Sequence, residues 1–445
     1  MKSLWEQEIY LPSFPRLEGE KKTDVLIVGG GMAGVLCAYF LQKQGVDYCL
    51  AEAERIAGRE TGHTTAKITA QHGLIYHEIA KRYGTEAAEK YYSANRTAME
   101  HYRALCTGIE CDWEEKDNHV FSVKNRKELE EEMKTLDEIR VKASFKEILP
   151  LPFGTCGAVS FPQQAQFHPL KFIKGIVSGL KIYENTRVLE FGACAGANRL
   201  RKVKLSGGAT VYAKKIIVTT HFPMLNKHGM YFMKLFQHRS YVTALKNAPD
   251  FHGMYVDEDK KGMSFRNVGE YLLLGGGGHR TGKDGGGFTE LLGKSESFFP
   301  EAREVCRWAA QDCMSLDGIP YIGMYSRSAR NLFTATGFHK WGMTSSMVAA
   351  MVLTDLVQEK ENEYEELFSP SRPMLTKQLA VNLAESVMGL LSVSRPRCPH
   401  MGCALKWNKE ERSWDCPCHG SRFAEDGEML ENPANQNLKK NIEKA

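Results

Sequence analysis

The chain has 445 residues, of which 42% are hydrophobic and 25% charged, and its 58 Lys and Arg against 54 Asp and Glu leave a net charge of +4. That length exceeds a single core and implies two or three domains. So small a charge excess, without a long basic run, argues against a nucleic-acid or anionic-membrane footprint and leaves small-molecule chemistry as the expectation.

Residues 1–22 mix acids, prolines and aromatics and carry no apolar h-region, so they do not read as a signal peptide. The most apolar stretch, Val25 to Leu41, holds four glycines in a strand, turn and helix pattern and does not read as a membrane span. A cytoplasmic location is the default expectation, and eight cysteines scattered from Cys37 to Cys313 suit free thiols in a reducing compartment.

Asp24 to Val28 is a short apolar strand, followed at once by Gly29-Gly30-Gly31-Met32-Ala33-Gly34 and the helical run Val35 to Leu41. This is the order a dinucleotide fingerprint needs: Gly29 for the tight turn, Gly31 for backbone approach to a pyrophosphate, Gly34 for close helix–strand packing. The phosphates then lie at the positive helix end, beside Met32 and Ala33. A second strand, Tyr48 to Ala51, ends at Glu52, whose carboxylate is placed for two ribose hydroxyls and against a 2′-phosphate. The hydroxyl-rich loop and helix start from Arg59 to Lys67 offers Thr61, Thr64, Thr65 and the Ala66 backbone to a second phosphate, which favours FAD over NAD.

Residues 85–150 read as a charged helical segment, and Lys181 to Thr220 as strands ending in a buried parallel one. Tyr271 to Leu274 runs into Gly275 to Gly278, either a hairpin turn or a backbone that approaches a ring closely. Asn331 to Thr344 is again strand, glycine turn and helix start, with the helix over Ser345 to Leu356; three separated pieces of one nucleotide domain are implied. Thr376 to Leu391 reads as an amphipathic helix.

The tail is richest in soft ligands. Cys398-x-His400 is followed by Cys416-x-x-His419, with Cys403 and Cys418 in matching trailing places. A zinc Cys₂His₂ tetrahedron uses four of these groups and does not account for the others. A cluster with two thiolates on one iron and two imidazoles on the other needs one Cys and one His from each of two loops, as the spacing supplies.

Residues 1 to about 360 resemble the FAD-dependent D-amino-acid-oxidase-like superfamily, in the branch of glycine, sarcosine and gamma-glutamylputrescine oxidases. The matching pieces are SLW, PSFP and DVLIVGGGMAGVLCAYFL, the turns Ala165 to Pro169 and Leu316 to Gly323, and Ala335 to Ser346. The resemblance implies FAD; sarcosine-oxidase-like members attach it through a cysteine, but Cys313 stands at a different offset, so non-covalent FAD is expected. The same resemblance implies its adenosine half on Gly29, Gly31, Gly34 and Glu52 and its ring near Gly337, Gly342, Met343 and Thr344. A helix dipole there favours negative charge on the reduced ring. Amino-acid-oxidising members carry a carboxylate-binding arginine where this chain has Asp312, which suits an amine cation instead. His339, Lys340, Arg266 and Tyr321 are the candidate substrate-site residues.

The CPHMGC and CPCHGS loops resemble the Rieske iron–sulfur domain almost letter for letter. That implies a [2Fe–2S] cluster on Cys398, His400, Cys416 and His419, a Cys403–Cys418 disulfide, and a Ser421 hydroxyl donor that raises the potential. The usual strands ahead of the first loop are missing, and docking on the flavin domain is the expected substitute.

The expected fold is α/β. A Rossmann-like FAD domain of glutathione-reductase type (1–85, 150–240, 305–365) carries an inserted α+β cap (86–149, 241–304), then a helical linker (366–392) and a shortened all-β cluster domain (393–445). The expected function is oxidation of a small amine by hydride transfer to the flavin, electrons leaving through the cluster to an external acceptor. The alternatives are a substrate-free electron carrier and a redox or iron sensor.

Overall fold

The computed structural model describes residues 1–195, 200–225, 228–259, 262–393 and 396–439. Its first sheet grows from the continuous apolar runs of the sequence, which parallel strands covered on both faces require. Glu20–Val28 lies at the centre, parallel to Tyr48–Ala51 on one side and to Thr210–Val218 on the other. Leu332–Thr336 extends it in parallel and Tyr321–Met324 closes that edge antiparallel. The helices Met32–Lys43 and Gly342–Leu356 pack together on this sheet, and Val35, Leu36, Met347, Val348 and Leu353 are fully shielded in the main core.

The second sheet has nine strands and is antiparallel except where Met254–Asp257 meets Glu114–Phe121. Four of its members depart from the sequence expectation. Lys67–Ile68, Ala158–Gln166, Phe236–Lys246 and Arg303–Met314 fall wholly or partly in stretches expected to belong to the nucleotide layer, yet all pair in this cap sheet. A period-two pattern identifies a strand but not the sheet it joins. Residues 85–150 are not one helical segment either: the strand Glu114–Phe121 separates helices Thr85–Cys106 and Arg126–Glu138. Its charged first half masks the alternation. The glycine run Gly275–Gly278 is no turn but the inner part of strand Tyr271–Arg280.

Helix Lys377–Leu391, capped by the Thr376 hydroxyl, leads to a four-stranded sheet over residues 406–431. This small sheet has its own core of Leu405, Phe423 and the cysteines. Among the described residues no helix is long and apolar enough to cross a membrane.

Candidate active site and cluster loops

A cavity of about 1370 Å³ runs along the strand ends of the first sheet and under the cap sheet. It exceeds the roughly 300–1,000 Å³ of an ordinary small-molecule site, as a dinucleotide with room beside it requires. At one end Gly29 turns the chain at φ 107°, and a side chain there would meet the Thr219 carbonyl at 2.7 Å. A Cβ on Gly34 would run into the Gly29 carbonyl, so helix Met32–Lys43 approaches the strand only because both are glycine. Gly31 begins that helix without a side-chain cap, and Gly31, Met32 and Ala33 line the cavity. The Thr61 hydroxyl accepts from the Met32 N–H at 2.9 Å. The remaining N–H groups of that first turn and the positive helix end make an anion site, which fits a pyrophosphate.

Glu52 lines the same end and accepts from the Gly30 and Glu54 N–H groups at 2.6 and 2.8 Å. Burial raises its pKa, partly opposed by those two hydrogen bonds. Thr64 and Thr65 line the cavity as well, whereas Ala66 is fully buried at φ 51° and shapes the turn from outside it. These groups fit the adenosine half of FAD.

Further along, helix Gly342–Leu356 starts at the cavity wall, again without a side-chain cap, and Gly337, Gly342 and Met343 line it. Thr344 faces inward: its hydroxyl is shared between the Thr69 carbonyl and His72 Nε2. His72, which no sequence pattern marked, lines the cavity, stacks on Trp341 at 5.0 Å and bonds the Tyr91 hydroxyl at 2.7 Å. Burial lowers its pKa to about 3, so the imidazole is neutral. A second open helix start fits the electron-rich end of the flavin, and supplies the dipole that favours its reduced form.

His339 and Lys340 line the remaining space, both at positive φ. Burial, then the Lys340 charge, brings His339 down to about 4. Asp312 lines it too and accepts from the Ser240 hydroxyl at 2.7 Å. Burial raises Glu258 on the same wall to about 7, against the pull of Lys340.

Two of the substrate-site candidates lie elsewhere. Arg266 is spent on the Gln166 side chain and the Thr65 and Phe167 carbonyls, with its guanidinium 5.4 Å over Trp5. It ties the cap sheet to the loop behind the nucleotide site and does not line the cavity. Tyr321 is 1% exposed, with Arg372 3.9 Å above its ring and Tyr231 at its edge. Both are large polar side chains whose binding capacity is consumed by packing, which residue type alone does not reveal.

At the tail, the rings of His400 and His419 meet at 5.0 Å and 88°. His419 is 2% exposed and neither ring nitrogen has a hydrogen-bond partner of ordinary geometry among the described residues. Burial, with His400 and Arg280 alongside, holds it neutral with a pKa of about 3. Cys398 is brought down to about 7 by a hydrogen bond from Cys416, with Ser421 and the His400 and Met401 N–H groups also donating to its sulfur. A buried neutral imidazole whose ring nitrogens make no hydrogen bond of ordinary geometry among the described residues, beside two adjacent thiols, fits a metal cluster. Cys403, Cys416 and Cys418 also have sulfurs within 4.8 Å of one another, but Cys403 and Cys418 form a disulfide and so offer no thiolates. Gly389 of helix Lys377–Leu391 presses on that disulfide; a Cβ there would lie 2.5 Å from the Cys418 sulfur.

These loops sit on the cap sheet. Gln311 donates to the Gly420 carbonyl at 2.9 Å and Arg280 to that of Pro417 at 3.3 Å. Arg239 of the cap, 2% exposed, pairs with Glu411 and, at 3.1 Å, with Glu431. Arg422 closes the network through Glu411, Asp415 and Glu431. Burial would raise Glu431, yet Arg239 and Arg422 hold it at about 2.

Residues 24–356 match the family model described as FAD dependent oxidoreductase, and residues 360–441 match the Rieske [2Fe-2S] domain. The chain is 34% identical to YhfW of Bacillus subtilis (strain 168), named as a Rieske 2Fe-2S iron-sulfur protein, over 98% of this chain and 96% of that one. Across 42 residues it is 48% identical to the cytochrome b6-f complex iron-sulfur subunit 3 of a Nostoc species, covering 9% of this chain and 24% of that subunit. Among solved structures, glycine oxidase from Geobacillus kaustophilus superposes with a TM-score of 0.66 at 19% identity, over 80% of this chain and all of that one. L-proline dehydrogenase from P. horikoshii gives 0.65 at 15% identity, over 79% and 98%. At such identities the likeness is one of fold.

Proposed function

The chain belongs to the FAD-dependent oxidoreductase family and carries a Rieske [2Fe–2S] domain behind it, and from that premise we propose that it oxidises a small amine and hands the electrons to an external acceptor. When bound, FAD accepts a hydride and the cluster carries single electrons. The chain's own part is to bind and orient. Asp312 and Glu258 offer carboxyl groups to a cation on the cavity wall. His339, neutral near pH 7, is able to accept a proton from the amine. The start of helix Gly342–Leu356 turns free N–H groups towards developing negative charge.

One observation carries this reading: a single cavity is lined both by Gly337 to Met343 of the flavin domain and by Met429 to Asn435 of the cluster module. The volume of that cavity, with room beside a dinucleotide, also favours a substrate over a purely electron-carrying role. The test is anaerobic stopped-flow mixing of the fully loaded protein with a panel of amines and amino acids. Flavin bleaching by an amine, followed by cluster bleaching, supports the proposal; no reduction by any of them, with a cluster that dithionite still reduces, refutes it.

A further inference from the structure

The strand Thr210–Val218 ends at the cavity, and the next four residues do something no motif announces. Thr219 and Thr220 line the cavity, with the Thr219 hydroxyl on the Gly29 carbonyl at 3.1 Å. His221 also lines it, its Nε2 3.1 Å from Gln237 Oε1. Its backbone stands at φ 64°, a left-handed conformation that a non-glycine residue adopts only when its surroundings impose it. The Thr336 hydroxyl, adjacent to the Gly337 turn, donates to the His221 carbonyl. That turn sends the following side chain the other way. Phe222, fully buried, lies edge-on to both cluster histidines, 6.2 Å from His400 and 6.4 Å from His419 between ring centroids. From the cluster module, Asn432 clamps the turn by donating to the Thr220 and Phe222 carbonyls at 2.7 and 3.1 Å.

Neighbouring residues thus present one side chain to each compartment, and the turn between them is pinned from both sides. We propose that Thr219–Phe222 is the electron conduit between cavity and cluster, with the Phe222 ring as its coupling residue to both imidazoles. The inference rests on the relay reading above. In the step it serves, one electron leaves the reduced flavin, whose proton passes to solvent, and one ferric ion of the pair becomes ferrous. Phe222 is neither oxidised nor reduced; it supplies a contiguous packed path.

The test needs no amine. In the full-length loaded protein the flavin is photoreduced by a laser flash with EDTA as the sacrificial donor, and cluster reduction is followed by visible absorption and electron paramagnetic resonance, per cluster retained. F222L, which keeps an apolar side chain but removes the ring, is expected to slow cluster reduction about tenfold. Its resonance g-values stay unchanged, and F222Y restores the rate. An undiminished rate per cluster in F222L overturns the proposal, and so does an F222Y as slow as F222L. Failure of the unaltered protein to reduce its cluster after the flash would instead sink the relay reading itself, and the conduit with it.

Discussion

The two cofactor regions are built on opposite logics. At the nucleotide end the work is done by backbone: two glycines that admit no Cβ, two helix starts without side-chain caps, and one acid held by N–H groups. At the cluster end it is done by side chains, four ligand candidates above a buried network of two arginines and three carboxylates. Their charged groups also shift oppositely. Burial raises Glu52, whereas Arg239 and Arg422 overcome burial to lower Glu411 and Glu431.

The sharpest way to break this comparison is Arg239→Met. Removing one of the two cations leaves Glu411 and Glu431 to share Arg422 with Asp415, at a cost of about 3–5 kcal/mol. Urea unfolding followed at the iron–sulfur absorption is expected to move to much lower denaturant, while flavin release moves less. Next is Gly34→Ala, which forces a methyl against the Gly29 carbonyl; overpacking of about 1–3 kcal/mol is expected, with FAD lost on gel filtration and iron retained. Cys416→Ser is the mirror case, with iron content falling to background and the flavin spectrum intact.

The pH response sharpens it further. Glu431 and Glu411 are depressed in the fold, so their stabilisation is present above the ordinary carboxylate value of 4.5 and is lost as pH falls towards about 2. Glu52 is raised, so its contribution has the other sign: it is present at low pH and lost as pH rises. Acid titration is therefore expected to bleach the cluster before it releases FAD; simultaneous loss would show the two regions are not energetically distinct. The smallest effect is Thr376→Ala, which removes the N-cap of helix Lys377–Leu391 for about 1 kcal/mol, read as a modest drop in the cluster-detected melting temperature.

What was legible in the sequence follows the same division. Spacing carries geometry where a backbone must bend or a metal must be gripped, so Gly29 to Gly34 and the two Cys/His loops stood out. The wall opposite the flavin end was not legible. Arg266 and Tyr321 look chemically apt but are occupied elsewhere, whereas His72 and His221 acquire their places from strands distant in the chain. Sheet membership was hidden likewise, because alternation in Arg303–Met314 is the same whichever sheet the strand joins. The Gly275–Gly278 run was read either as a turn or as a close backbone approach, because glycine serves both; it lies within a strand, where it permits close approach.

Arg239 bears on how such a chain can have been assembled. Glu411 and Glu431 lie in the tail, but one of their two counter-charges belongs to the cap, 172 and 192 residues earlier. A tail grafted onto another flavoprotein without an equivalent cation at that place would leave two buried carboxylates with Arg422 alone. The two halves are therefore not interchangeable parts: a change of charge on one side of the seam needs its answer on the other.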